Sequence, residues 1–484
     1  METLWNEQGP IGQWDHTNDG AHVLALQDVE GGRRLYWDGV WGQPFDELVP
    51  RRDGKVFSPD FNHIALYGKR GADCHVVIDG VESPAYPDLT RSVPPTFSVD
   101  GSRVLYGARI GERFALIVDG APLGSDHLAV VPAVFSPDGR RIAYGAEDRH
   151  AVAPGRPAER QWVVVDGEAG PPFRGLSQAP GALVFSPDSR RLAYWARSDD
   201  GSHVVVDGVA GPAYKDIGQM VFSPDSSRLA HPVVLPSGMA AVIDGQQGPV
   251  FDQVLPIVFS PDSRRVAYFA RRGKRFLAVV DGSPGPDFAE MYGLGSPVFG
   301  PDSRRVAFLG QEDGGGLLGR FKRKTFLVVD GARIVEVDET ASDVHFSPDG
   351  ARTAFAGRSA GAWHMYVDGT PGPEFQEVGV PAWSTSGRLA YPVRHLNNWS
   401  VALDHQVGPT YAELAVVDGV ACRFTADGEH VAWAGWTGAK SQPIVDQDPG
   451  PWYEGVGRPL VRADRVEWLG LRDGSMWRVT ATQQ

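Results

Sequence analysis

The chain has 484 residues, 42% of them apolar and 22% charged, so it is long enough to bury a sizeable core without metal or disulfide staples. Its net charge of −14 disfavours nucleic acid as a partner, and Cys74 and Cys422 stand too far apart to suggest a disulfide framework or a cysteine-based zinc site. No run approaches the roughly 18 apolar residues of a membrane helix, and the start from Met1 to Glu7 has no basic stretch, so a soluble cytoplasmic protein is expected.

With 59 glycines and 38 prolines the chain is rich in turns, and one phrase recurs along its whole length. The phrase is an aromatic, then Ser-Pro-Asp-Gly or Ser-Pro-Asp-Ser, an arginine-rich step and a short apolar run. Twelve copies start at His16, Phe57, Phe97, Phe135, Phe185, Phe222, Phe259, Phe299, Phe346, Trp383, Phe424 and Val461. Their spacings of 41, 40, 38, 50, 37, 37, 40, 47, 37, 41 and 37 give a period near 40, which suits four short strands per unit. A helical repeat of that length needs a 3.6-residue periodicity, which is missing.

Within a unit, a first strand such as Pro256 to Phe259 runs into the Ser-Pro-Asp turn, where proline presets φ and aspartate bonds the backbone ahead of it. A second strand, Arg265 to Ala270, is followed by a polar loop and a third strand, Phe276 to Val280. Asp281-Gly282 then signals a hairpin, and the fourth strand carries Gly-Pro and an aromatic, as in Gly285-Pro286-Asp287-Phe288. Proline is tolerated there because an outermost strand has a free edge. The last unit stops before its fourth strand, while Leu4 to Pro10 reads as an orphan fourth strand; the two are expected to pair and close the array.

Phe135-Ser136-Pro137-Asp138-Gly139, Arg141-Ile142-Ala143-Tyr144, Val163-Val164-Val165-Asp166-Gly167 and Gly211-Pro212-Ala213-Tyr214 resemble the WD40-like (PD40) repeats of TolB-type bacterial β-propellers over nearly the whole chain. The resemblance implies an all-β propeller fold and leaves the activity open, since the family includes transport accessories and the propeller halves of peptidases. Twelve blades exceed the four to eight of a typical ring. Two six-bladed rings, residues 1–250 and 251–484, are therefore expected, with the N-terminal strand available to complete the last blade and one twelve-bladed ring as the alternative.

Chemistry-bearing motifs fit the repeat frame better than catalysis. Gly357-Arg358-Ser359-Ala360-Gly361 matches a nucleophile elbow but falls in a loop between second and third strands with no helix after it. Gly314 to Gly319 matches a dinucleotide fingerprint but lies in a blade insertion. The recurrent aspartates, Asp138, Asp188, Asp225 and Asp262 in one series and Asp166, Asp207, Asp244, Asp281, Asp330 and Asp368 in the other, are expected to make turns rather than bind calcium. The thirteen histidines show no metal-ligand spacing. No cofactor and no metal is expected.

Two insertions, at about residues 147–160 and 311–324, follow the second strands of the fourth and eighth units, on the variable loops where function concentrates. Arg320, Phe321, Lys322, Arg323 and Lys324 of the second insertion, with Arg271, Arg272, Lys274 and Arg275 of the preceding unit, make a candidate partner-binding patch suited to an acidic protein segment, a phosphate group or an RNA strand. The expected function is a non-catalytic scaffold that presents a propeller face to a protein or peptide. The alternative is a loop-assembled hydrolase or lyase, or a small-ligand sensor with its site at the channel mouth.

Overall fold

A computed structural model describes residues 2–6, 13–16, 22–49, 56–90, 93–127, 129–151, 157–177, 179, 181–313, 323–414, 421–457, 459–461, 465–472 and 475–482. The chain is a β-propeller of twelve blades, each an antiparallel meander of four strands in sequence order. Blades are numbered here from the N-terminus, blade 1 spanning residues 13–41 and blade 12 combining residues 455–482 with strand Glu2–Asn6. One short 3-10 turn at Tyr292–Leu294 is the helix among the described residues, and no helix is long and apolar enough to cross a membrane.

Closure by the N-terminal strand is observed. Glu2–Asn6 pairs antiparallel with Ser475–Thr482, placing Glu2 opposite Arg478 and Asn6 opposite Ser475. The remainder of the expected strand, Glu7 to Pro10, lies outside the described residues, as do the turns at 17–20 and 462–464. Compact packing divides the chain into two units, Gly9–Val250 and Met1–Gln8 with Phe251–Gln484.

The first strand departs from its simple expected form. In eight blades it is two short pieces, both paired to the second strand. In blade 5, Gly175–Leu176 pairs with Arg197 and Ala196, and Leu183–Phe185 pairs with Tyr194 to Leu192. Between the two pieces the Ser177 amide donates to the Trp195 carbonyl at 3.2 Å and the Trp195 amide donates to the Ala182 carbonyl at 2.9 Å.

Alternation in the second strand builds the contacts between blades. A small residue such as Ala143, Ala193 or Ala230 points to one neighbour, and the next residue points to the other. From blade 3 onward that next position holds Tyr106, Tyr144, Tyr194, His231, Tyr268, Phe308, Phe355, Tyr391, Trp433 and Trp468, all buried. Several of these rings meet the fourth-strand aromatic of the preceding blade edge to face, as Tyr86–Tyr106, Phe173–Tyr194, Phe375–Tyr391 and Tyr411–Trp433. The core is thus a series of layers between blades, for example Ala143 and Val163 of blade 4 against Tyr194 and Val205 of blade 5.

The Ser-Pro-Asp phrase turns out to join blades as well as reverse the chain. In blade 4 the Ser136 hydroxyl donates to Asp138 at 2.6 Å and accepts the Arg141 amide at 2.9 Å. The Arg141 Nε donates to Asp166 Oδ2 at 2.9 Å, while Asp166 Oδ1 accepts the Ile142 amide at 2.9 Å. The same guanidinium reaches blade 5, where it donates to the Arg190 carbonyl at 3.0 Å and stacks 5.3 Å from the Phe185 ring centre. The Asp138 amide completes the joint by donating to Ser189 Oγ at 3.0 Å.

Equivalent arginines, Arg103, Arg265 and Arg388, repeat the pair with the hairpin aspartate and the bond to the next blade's turn. His63 and His430 stand in for arginine at 2.7 and 2.8 Å from Asp79 and Asp446. Both aspartate series therefore make turns as expected, Asp166 adopting φ 53° and Gly167 φ 91° in the hairpin. Their carboxylates also tie the turns together.

Replacing Arg141 by Met removes three hydrogen bonds and the stack on Phe185, and is expected to cost about 1–2 kcal/mol, a figure discounted for partial exposure. Arg140 meets blade 3 only through its carbonyl, which accepts from Arg103 at 3.2 Å and is kept in Arg140→Met, so that change is expected to cost about 0.5 kcal/mol or less; denaturant midpoints compare the two. Deleting Met1–Gln8 bares the edge of Ser475–Thr482, and hydrogen exchange is expected to show faster exchange there with the Gly9–Val250 unit unchanged.

Candidate functional site

The joints occupy the turn side of each blade, and the second-to-third hairpins lie at the other end of the strands. Those hairpins are held by the connection that leads into the same blade. The Gly71 amide donates to Asp46 at 2.6 Å, and the Asn397 amide donates to Gln376 at 2.7 Å. The variable tips and the blade-to-blade connections therefore share one side, where the candidate basic residues sit.

Arg271 and Arg272 end the second strand of blade 7, Lys274 is in its tip, and Arg275 starts the third strand. Arg323 and Lys324 start the third strand of blade 8. Arg320, Phe321 and Lys322 lie outside the described residues, as does the Gly314 to Gly319 run. Residues 152–156 of the other insertion are also outside, although its flanks Ile142–Ala151 and Pro157–Val165 form a long hairpin.

Three of the described cations, Arg275, Arg323 and Lys324, pair with carboxylates, while Arg271 bonds Gln253 at 3.3 Å. Arg275 bridges blades 7 and 8 through Glu312, at 2.7 and 2.8 Å, and Arg333 joins the same carboxylate at 3.0 Å. These two arginines, Arg275 first, hold the Glu312 carboxyl below its usual range. Arg323 pairs with Glu290, and Lys324 lies 2.7 Å from Asp338 and 3.0 Å from Glu336, which raise its pKa. Arg272 stacks 5.3 Å from the Phe251 ring centre. The result is an alternating field of charge, which selects partners by complementarity more than by net attraction.

Ser359, the serine of the elbow-like motif, ends the strand Thr353–Ser359 in a tight hairpin with Ala360 and Gly361 at positive φ. Its Oγ accepts a hydrogen bond from Tyr366 at 2.7 Å, a structural contact with no general base in it. Among the described residues there is no group of three or more His, Cys, Asp or Glu side chains placed to hold a metal. Cys422 is buried, which pushes its thiol up to about 12 and leaves it protonated.

Several histidines are bound to the fold. His75, His203 and His364 each donate from Nδ1 to a carbonyl of the adjoining fourth-strand segment, at 3.0, 2.9 and 2.9 Å. His231 is different. It is 6% exposed and its Nδ1 has no hydrogen-bond partner. It lines a cavity of about 320 Å³ between blades 5 and 6, inside the Gly9–Val250 unit. Val204, Val206, Leu229, Val242, Pro212 and Tyr214 supply apolar walls, and Arg191, Ser227 and Asp244 bring polar groups. Sequence reasoning missed this site, although the signal was present as one histidine in a column of aromatics.

No family profile matches the chain. No curated protein matches it either. Among solved structures, a crystal structure of the eukaryotic initiation factor is similar at a TM-score of 0.37 and 12% identity, over 78% of this chain and 90% of that one. The Dos1 propeller is similar at a TM-score of 0.27 and 10% identity, over 63% of this chain and 93% of that one. Neither similarity carries an argument about activity.

Burial pushes the His231 pKa down from 6.5 to about 4, so the imidazole is neutral at pH 7. The unfolded chain takes up this proton near pH 6.5 and the folded one does so near 4, so the group's stability contribution is full above 6.5 and lost as pH falls to 4. The loss is about 3 kcal/mol at most. Melting curves of His231→Tyr are expected to fall less steeply than those of the wild type across that window; parallel curves would contradict the assignment.

Proposed function

We propose that the protein is a non-catalytic scaffold of the cytoplasm that presents the hairpin side of its blades to a protein or peptide partner. The observation that carries this reading is the division of labour within each blade. The repeated Ser, Asp and Arg side chains are spent on joints at one end, and the residues that vary between blades are gathered at the other. A β-propeller commonly serves in this way.

The contact surface of this reading combines Arg271, Arg272, Lys274 and Arg275 at the tip of blade 7 with Arg323 and Lys324 of blade 8 and with Arg320, Phe321 and Lys322 on the same insertion. The partner that suits this field is a segment carrying acidic residues beside an apolar anchor. Two six-bladed rings are the arrangement favoured here, supported by the division at Val250 and by the return of Glu2–Asn6 to blade 12. The repeated phrases support kinship with TolB-type repeats.

Affinity capture followed by lysine cross-linking tests the reading. Cross-links from the partner are expected at Lys274, Lys322 and Lys324, and Gln substitutions at those positions together with Arg272 are expected to weaken capture roughly tenfold. Cross-links confined to Lys69, Lys215 and Lys440, with capture unchanged in the variant, would overturn it.

A further inference from the structure

In two other layers a large ring lies beneath the fourth-strand glycine of the preceding blade. Between blades 4 and 5 the Tyr194 hydroxyl comes within 3.8 Å of a Cβ built on Gly170. Between blades 10 and 11 the Trp433 ring comes within 3.4 Å of a Cβ built on Gly408. Gly211 is the equivalent glycine between blades 5 and 6, and a Cβ there meets only the Val204 carbonyl at 3.2 Å. His231 pairs in register with Val242 as Tyr194 does with Val205, so the two side chains are true counterparts. Gly285, the equivalent glycine between blades 7 and 8, likewise meets only a carbonyl, that of Ala278 at 3.3 Å, so what sets the blade 5 and 6 layer apart is the cavity that His231 lines.

Two further observations mark that place as more than loose packing. A buried ring nitrogen left without a hydrogen bond, as His231 Nδ1 is, costs about 1–3 kcal/mol, which a bound polar group would recover. Arg191 keeps its ion pair with Asp207 at 3.2 Å and its stack on Phe222, yet makes no bond to a blade 6 carbonyl of the kind that Arg141 makes to blade 5. The lining is mainly apolar with Arg191, Ser227 and Asp244 among it, His231 offers a hydrogen-bonding ring, and the volume of about 320 Å³ falls at the small end of ligand pockets.

We propose that the groove between blades 5 and 6 binds a small uncharged aromatic alcohol, its ring packed edge to face on Tyr214 and its hydroxyl hydrogen-bonded to His231. The ligand supplies what a tyrosine side chain supplies in the sister layers: an aromatic face for the fourth-strand ring and a polar tip. Tyr214 already meets His231 in that geometry, with ring centres 6.2 Å apart and planes at 69°. This site is independent of the partner surface on the hairpin tips.

Titration of the full-length protein with phenol, followed by calorimetry and by ligand-observed NMR, tests the proposal. Saturable binding at one site is expected, with phenol preferred over toluene by about tenfold, the worth of one hydrogen bond. His231→Tyr places the missing ring covalently and is expected to abolish phenol binding while raising the melting temperature. His231→Leu is expected to keep toluene binding and lose the preference for phenol. Absence of saturable phenol binding to the wild type, or equal binding to the wild type and His231→Tyr, would overturn the proposal. Circular dichroism of each variant shows that the comparison is between folded proteins.

Discussion

The guanidinium that leaves most of the Ser-Pro-Asp turns, replaced by an imidazole at His63 and His430, is the contact on which the architecture depends. A four-stranded sheet of this size buries too little surface to stand alone, so each blade is stable only against its neighbours. Packing of rings on alanines supplies the bulk of that stabilisation but is tolerant of sliding. The arginine fixes position: it is pinned to the hairpin aspartate of its own blade and directed at a carbonyl and an aromatic face of the next. Because the planar fork is pre-organised, it sets angle as well as distance, which lysine would not do. Serine and aspartate then satisfy the turn's own amides. The Ser136 hydroxyl and the Arg140 amide hold the Asp138 carboxyl below its usual range, so the turn stays charged and bonded at ordinary pH.

Much of this was legible in the amino-acid sequence, since turn chemistry is local. Phe-Ser-Pro-Asp and Asp-Gly announce two hairpins by themselves, and the recurrence near forty residues gives the blades. The pairing of the first and last strands followed from counting strands in the end units. The joint was not legible, because its atoms are far apart in the chain: Arg141 and the Arg190 carbonyl are separated by 49 residues. Splitting of the first strand was hidden for another reason. It depends on which backbone amides find a partner opposite a bulge, and side-chain pattern does not record that.

The functional residues were legible to a lesser degree. Clusters of arginine and lysine stand out in sequence, but the carboxylates that meet them come from other strands, as Glu312 and Asp338 do for Arg275 and Lys324. A patch that reads as basic along the chain is therefore a mixed field in space. His231 is the opposite case. Nothing in its immediate neighbours distinguishes it, and it becomes visible only when the second strands are laid side by side and one ring proves smaller than the rest. Repetition makes such exceptions informative, since a position filled alike in sister units sets the expectation from which a functional site departs.

A double-mutant cycle across a single joint measures the central claim most directly. Arg265 of blade 7 stacks 5.5 Å from the ring centre of Phe299 in blade 8, and Arg265→Met, Phe299→Leu and the double variant can be compared by denaturant unfolding. The account predicts that the two changes are coupled by about 0.5–1 kcal/mol. Additivity within about 0.3 kcal/mol would mean that the arginine only makes its own turn and that neighbouring blades are held by packing alone.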